Sequence, residues 1–127
     1  MAVRRFASGT AWEPVVGYSR AVAAGGFVFV SGCTSVAGAE LVYPGDAFAQ
    51  AAQAIRNAAQ GLAGLGASLA DVVQTRMYVT DIDRWEEIGR AHAEAFGDVR
   101  PAATMVQVAR LIDPRMLVEI EVVAYRQ

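Results

Sequence analysis

The fold expected of this chain is an α+β domain, a mixed six-stranded sheet with two helices packed on one face, and three observations lead there. Several stretches carry apolar residues at every second position, as half-buried strands do. Two others carry them at three- and four-residue spacing, as amphipathic helices do, and Gly or Asp-Pro punctuation stands where the period changes. The order is strand, strand, helix, strand, helix, strand, strand, with a short extra strand at the start, which segregates the helices to one side of the sheet.

Residues 3–7 form the short first strand. The loop after it holds Ser8-Gly9 and Trp12-Glu13-Pro14, and an aromatic beside a carboxylate would suit a lid over a nearby cleft. Residues 18–23 and 27–30 are the arms of a hairpin turned by Gly25-Gly26, with Tyr18 and Arg20 on one face of the first arm. Ser31-Gly32-Cys33 ends the second arm in small residues, either a plain strand terminus or a place where backbone comes close to a ligand. After a polar loop over residues 35–45, Asp46 caps a long helix with the stripe Phe48, Ala51, Ala52, Ile55, Ala58, Ala59 and Leu62, stopped by Gly64 and Gly66. Its alanines let the helix lie close to a sheet.

Ser68 with Asp71 has the form of a capping box ahead of a strand over residues 72–80. Asp81 and Asp83 open a second helix whose apolar face holds Trp85, Ile88, His92 and Phe96, with Gly97 at its end. His92, the only histidine, reads as a packed, hydrogen-bonded residue rather than a catalyst. Residues 103–110 and 117–125 are the last strands, separated by a bend at Asp113-Pro114. In the last strand Glu119 and Glu121 share a face, about 7 Å apart at about 3.3 Å per residue. Carboxylates in so apolar a run mark either a wet face with an ion-pair partner or a functional group.

The 127 residues leave room for one domain, residues 1–127, around one core. Although 54% of them are hydrophobic, Gly25-Gly26 and Ser31-Gly32 interrupt the longest apolar run well before it could span a membrane, so no membrane partner is expected. The chain is more apolar than a monomer requires, and no element remains to cover the sheet's second face. Association of several copies solves both problems and brings sites to subunit seams. A single cysteine and the lack of an apolar segment after Arg4-Arg5 suit a reducing, cytoplasmic location.

The net charge of −2 and the scatter of 11 basic residues give no footprint for nucleic acid. All 11 are arginine, so lysine Schiff-base chemistry is excluded. One histidine and one cysteine cannot build a zinc cage, and neither a Walker loop nor a GxGxxG pattern occurs. What remains is acid–base work by carboxylates, hydroxyls, backbone groups and water, with no metal or cofactor.

An ordered set of short motifs covers nearly the whole chain: GYSRAV from Gly17, FVFVSG from Phe27, VVQTRMYVTDI from Val72, RPA from Arg100, VARL from Val108 and EIEVVA from Glu119. Together they resemble the Rid/YjgF family of reactive-intermediate deaminases. The resemblance implies a chorismate-mutase-like fold assembled as a homotrimer, with small-molecule clefts between subunits. In the family's best-known branch these clefts hydrolyse enamines and imines of amino acids, such as 2-aminoacrylate, to 2-oxo acids and ammonia without cofactor or metal. By this likeness Tyr18 corresponds to the cleft tyrosine, Ser31 and Gly32 to a serine–glycine turn, and Glu121 to the glutamate that positions water. The branch's carboxylate-gripping arginine is replaced by Ala103, its cleft cysteine by Met105, and its helix asparagine by Gly89.

Losing a buried, hydrogen-bonded guanidinium costs about 2 to 5 kcal/mol of substrate binding, so the site must differ from the ancestral one. Either Arg20 takes over, or Ala103, Met105 and Gly89 open a roomier, more apolar pocket for a neutral or larger ligand; the second is expected. The enzymatic expectation has Glu121 holding a water that attacks a C=N carbon, with backbone groups of Ser31, Gly32 and Cys33 orienting the ligand and Tyr18 forming a wall. The alternative is a non-catalytic trimeric binder of a small metabolite.

Overall fold

The structure is a computed structural model that describes residues 2–127. Strand β1 (Arg4–Phe6) pairs antiparallel with β2 (Ala21–Ala24), which turns through Gly25, at φ 61°, into β3 (Phe27–Cys33). The segment expected as a polar loop contains a two-stranded hairpin, β4 (Val36–Ala37) and β5 (Glu40–Leu41). Helix α1 (Ala47–Gly64), β6 (Val72–Val79), α2 (Trp85–Phe96), β7 (Ala102–Gln107) and β8 (Val118–Tyr125) follow. The six-stranded sheet runs β1-β2-β3-β8-β6-β7, and β6–β7 is its one parallel pair, so the expected mixed sheet with two packed helices is what forms.

Local signals act where they stand in the sequence. The Asp46 carboxylate accepts a hydrogen bond from the Ala49 amide at 3.0 Å, and Ser68 and Asp71 form the reciprocal capping box. Asp81 caps a 3-10 turn (Ile82–Arg84) that precedes α2. β7 stops at Gln107, short of residue 110, because its partner β6 ends opposite it at Val79.

The core lies between the sheet and the helices. β8 contributes Val118, Ile120, Val122 and Ala124 to it, and α1 contributes Ala51, Ala54, Ile55, Ala58 and Leu62. Small residues bring α1 so close that a Cβ at Gly61 would sit 3.2 Å from Val30 Cγ1. Each fully buried Ile or Leu here contributes about 1.5 to 3 kcal/mol. The buried stripe also includes Gln50, whose side chain donates to the carbonyls of Tyr43 and Arg115 and accepts from the Leu117 amide, fastening α1 to the start of β8.

The opposite face of the sheet is uncovered in the single chain. Phe27, Phe29 and Tyr125 cluster there, with Phe27 5.0 Å from Tyr125 between ring centroids, and each remains more than 40% exposed.

Candidate functional site

The register between β3 and β8 slips between Val30 and Cys33: Val30 pairs with Val122, whereas Cys33 pairs with Ile120. Three residues on β3 thus span two on β8, a bulge that inverts the side-chain alternation. Cys33 turns into the helix-covered core, and Gly32 comes to face Glu119. A Cβ at Gly32 would overlap the Glu119 carboxylate, so only glycine lets this acid lie flat against the backbone.

Glu119 opens into a cavity of about 970 Å³ lined also by Tyr18, Arg20, Ser31, Gly32, Cys33, Trp12, Asn57 and residues 8–11. The front wall is the loop after β1, whose aromatic and carboxylate would suit a lid. Trp12 lines the cavity and a single π-helical turn (Glu13–Gly17) follows it. Glu13 is buried and accepts hydrogen bonds from the amides and hydroxyls of both Ser8 and Thr10. Burial alone would raise its pKa, but these bonds, from Ser8 and then Thr10, hold it at about 2. The loop is therefore a braced wall.

Arg20 is 7% exposed and turns inward. Its Nη1 donates to the carbonyls of Ser31 and Gly32, at 3.2 and 2.7 Å, and to Cys33 Sγ, while Nη2 donates to the Tyr18 hydroxyl at 3.2 Å. The guanidinium thus satisfies carbonyls that the bulge withdraws from the sheet ladder. The Ser31 hydroxyl donates to the Ser19 carbonyl at 2.7 Å, closing the same corner.

The two acids of β8 have different surroundings. Burial pushes the Glu119 pKa up; the Arg20 charge opposes this and the Glu121 charge adds to it. Glu121 lies outside that cavity, in a shallower depression of about 380 Å³ on the open sheet face. There it accepts a hydrogen bond from the Tyr78 hydroxyl and sits 3.6 Å from Arg76 Nη1. The acid gathered with Tyr18, Ser31, Gly32, Cys33 and Arg20 is Glu119, two residues before the position given by motif alignment. Strand parity alone cannot separate two acids on one face; the small pair Ser31-Gly32 opposite them is the signal that could have done so.

The remaining expected site residues lie elsewhere in the chain. Ala103 and Met105 are on the edge strand β7, opposite Thr75 and Met77 of β6. Gly89 is on α2, where a Cβ would have open space apart from Trp85 at 3.8 Å. His92 accepts or donates a 2.8 Å hydrogen bond with Thr75 Oγ1 and stacks near Phe96, and burial lowers its pKa, in keeping with a packed residue. Among the described residues no group of three or more His, Cys, Asp or Glu side chains is placed to hold a metal ion, and no helix is long and apolar enough to cross a membrane.

The fold and this bulge-built cavity can now be set beside known proteins. The family model described as Endoribonuclease L-PSP matches residues 8–126. The crystal structure of Rv2704 from Mycobacterium tuberculosis, a member of the YjgF/YER057c/UK114 family, is similar with a TM-score of 0.90 and 48% identity, covering 98% of this chain and 99% of that one. SCO2049 of Streptomyces coelicolor is 42% identical over 125 residues, 98% of this chain and 93% of the relative. The 3-aminoacrylate deaminase RutC of Acinetobacter baylyi is 34% identical over 113 residues, 88% of this chain and 89% of the enzyme. The chain belongs to the Rid/YjgF/RutC/UK114 superfamily.

Proposed function

We propose that this protein hydrolyses an imine or enamine of a small metabolite, using a water held by Glu119, within a chorismate-mutase-like homotrimer. The observation that carries the reading is a half-buried carboxylate with a raised pKa, laid against bare backbone at Gly32 in a cavity. A general base works best when its pKa is lifted toward the working pH, and burial does that here. The water oxygen adds to the C=N carbon while its proton passes to Glu119. Return of a proton to nitrogen lets the C–N bond break, releasing ammonia and leaving the C=O product. These steps balance without a redox partner. The likeness to a 3-aminoacrylate deaminase, whose name gives an enamine as its substrate, supports this bond class.

The trimer is proposed on the exposed Phe27, Phe29 and Tyr125 cluster, which a second copy would cover. It would also give Ala103, Met105 and Gly89 a neighbour's cavity to face, so that the site lies at the seam. The lone, reduced Cys33 suits the cytoplasm.

A second reading, non-catalytic ligand binding, is favoured by Ala103 in place of the guanidinium that the deaminase branch uses. The two separate on one measurement: ammonia release from a panel of imines generated in situ, with Glu119→Gln as control. Release that falls about a hundredfold or more in the variant supports hydrolysis. Saturable binding and thermal stabilisation without ammonia support the binder.

A further inference from the structure

We infer that Asn57 on α1 is a positioning residue for Glu119, holding the backbone platform at Gly32 in place from the helix layer. The inference rests on the cavity being the reaction site, as proposed above.

The platform needs holding because the bulge takes it out of the sheet ladder. Gly32 meets Glu119 with backbone alone, and the register that would fix the strand is broken between Val30 and Cys33. A segment released in this way keeps its place only if its polar groups find partners elsewhere. On the near side, Arg20 takes the carbonyls of Ser31 and Gly32. On the far side, where the chain passes from β3 into β4, the Asn57 amide takes two more. Its Nδ2 donates to the Thr34 carbonyl at 2.9 Å and to the Val36 carbonyl at 2.7 Å, across 23 and 21 positions of sequence.

An amide nitrogen carries two hydrogens, and both are used here, so one side chain clamps the chain at two points. The clamp is backed in turn. Gln53 Nε2 donates to Asn57 Oδ1 at 3.0 Å, which fixes the end of the amide that faces the loop, and Arg56 Nη2 donates to Gln53 Oε1 at 2.8 Å. The three side chains thus form one directed series of hydrogen bonds, in which each polarises the next. Asn57 and Gln53 both line the cavity that holds Glu119. Since α1 is close-packed on the sheet at Gly61, the clamp stands on a rigid element.

With the loop held, Gly32 stays against Glu119 and keeps water from solvating that carboxylate from the β3 side. Releasing the clamp lets the platform relax and water reach the acid. The effect on chemistry is large for a small movement, because a displacement of about 1 Å at a reacting group can cost about a hundredfold in rate.

The test titrates the Glu119 carboxyl carbon by NMR in the whole protein and measures ammonia release from the panel of imines. Wild-type Glu119 is expected to titrate above 4.5. Asn57→Ala should bring that value down toward 4.5 and move the acid limb of the pH–rate profile the same way. It should also lower kcat about ten- to a hundredfold, with KM changed less than about threefold. Gln53→Ala, which removes only the support of Asn57, should act in the same direction to a smaller degree, and it carries the test if Asn57→Ala does not fold. Ile55→Ala, in the buried stripe of the same helix, should lower the melting temperature without moving the titration or the acid limb. An unmoved titration in both Asn57→Ala and Gln53→Ala, or an equal movement in Ile55→Ala, would overturn the positioning role. A titration that moves as expected, with no ammonia from wild type, would sink the hydrolysis and leave the positioning standing. Ammonia release at full rate in Asn57→Ala and Gln53→Ala, with the titration fixed, would do the reverse.

Discussion

Glu119 and Glu121 are the same residue type, two positions apart on one strand and one face, yet they occupy different chemical settings. Glu121 is opposite Arg76 in β6, takes a hydrogen bond from Tyr78 and sits on the sheet's open face. Glu119 is opposite Tyr78 in register, but its carboxylate lies over Gly32, where the bulge has removed both a side chain and the regular ladder. Glu121 directs its oxygens to a hydroxyl and a guanidinium beside it. A carboxylate laid on bare backbone in a cavity is held where its ionised form is costly and its lone pairs can reach a water. The difference between them is made by the facing strand.

The comparison breaks most visibly in turnover. Glu119→Gln should lower imine hydrolysis by about 10² to 10⁴, and Glu121→Gln by less than about tenfold, as judged by ammonia release. Gly32→Val tests the backbone platform. Its side chain displaces the Glu119 carboxylate, so turnover should fall as it does in Glu119→Gln, with a stability loss of about 1 to 3 kcal/mol in urea unfolding.

The two acids that line or brace the cavity should also respond oppositely to pH. Glu119 has a raised folded-state pKa, so its contribution to stability is full below its unfolded value of 4.5 and is lost as pH rises through the folded value. Glu119→Gln should therefore melt no lower than wild type at neutral pH, a gap that closes in acid. Glu13 is depressed to about 2 from 4.5; its contribution is full above 4.5 and is lost as pH falls toward 2. Glu13→Gln should thus cost about 1 to 3 kcal/mol at neutral pH, less as pH drops through that window. The smallest effect is expected of Tyr78→Phe, which removes one half-exposed hydrogen bond to Glu121 and should cost about 0.5 to 1.5 kcal/mol in the same unfolding assay, with turnover unchanged.

Signals confined to a few neighbouring residues were readable without the structure. Asp46, the Ser68 and Asp71 pair, the Gly25-Gly26 turn and the alternation of β8 all act locally, and each element formed around them. What escaped reading depends on residues far apart in the chain. Gln50 is buried because its partners, Tyr43, Arg115 and Leu117, converge on it only once folded. Arg20 is buried because a bulge eleven residues later leaves carbonyls for it to satisfy. The same bulge decides which glutamate meets the cavity, and a register slip leaves no mark in a period-2 pattern beyond the small residues that permit it. The braced turn around Glu13 was expected only as loop, since its order comes from side-chain bonds to Ser8 and Thr10 that hydropathy does not register.

The clasp made by Gln50 has a mechanical consequence. One amide side chain joins the first turn of the long helix to the residue just before the final strand, so the stretch that carries Glu119 cannot shift without pulling the helix along. The carboxylate proposed to hold the water is thus in place before any guest arrives, and little affinity is spent on arranging it. The Leu117 amide, gripped at 2.8 Å, should accordingly be among the slowest backbone protons to exchange with solvent.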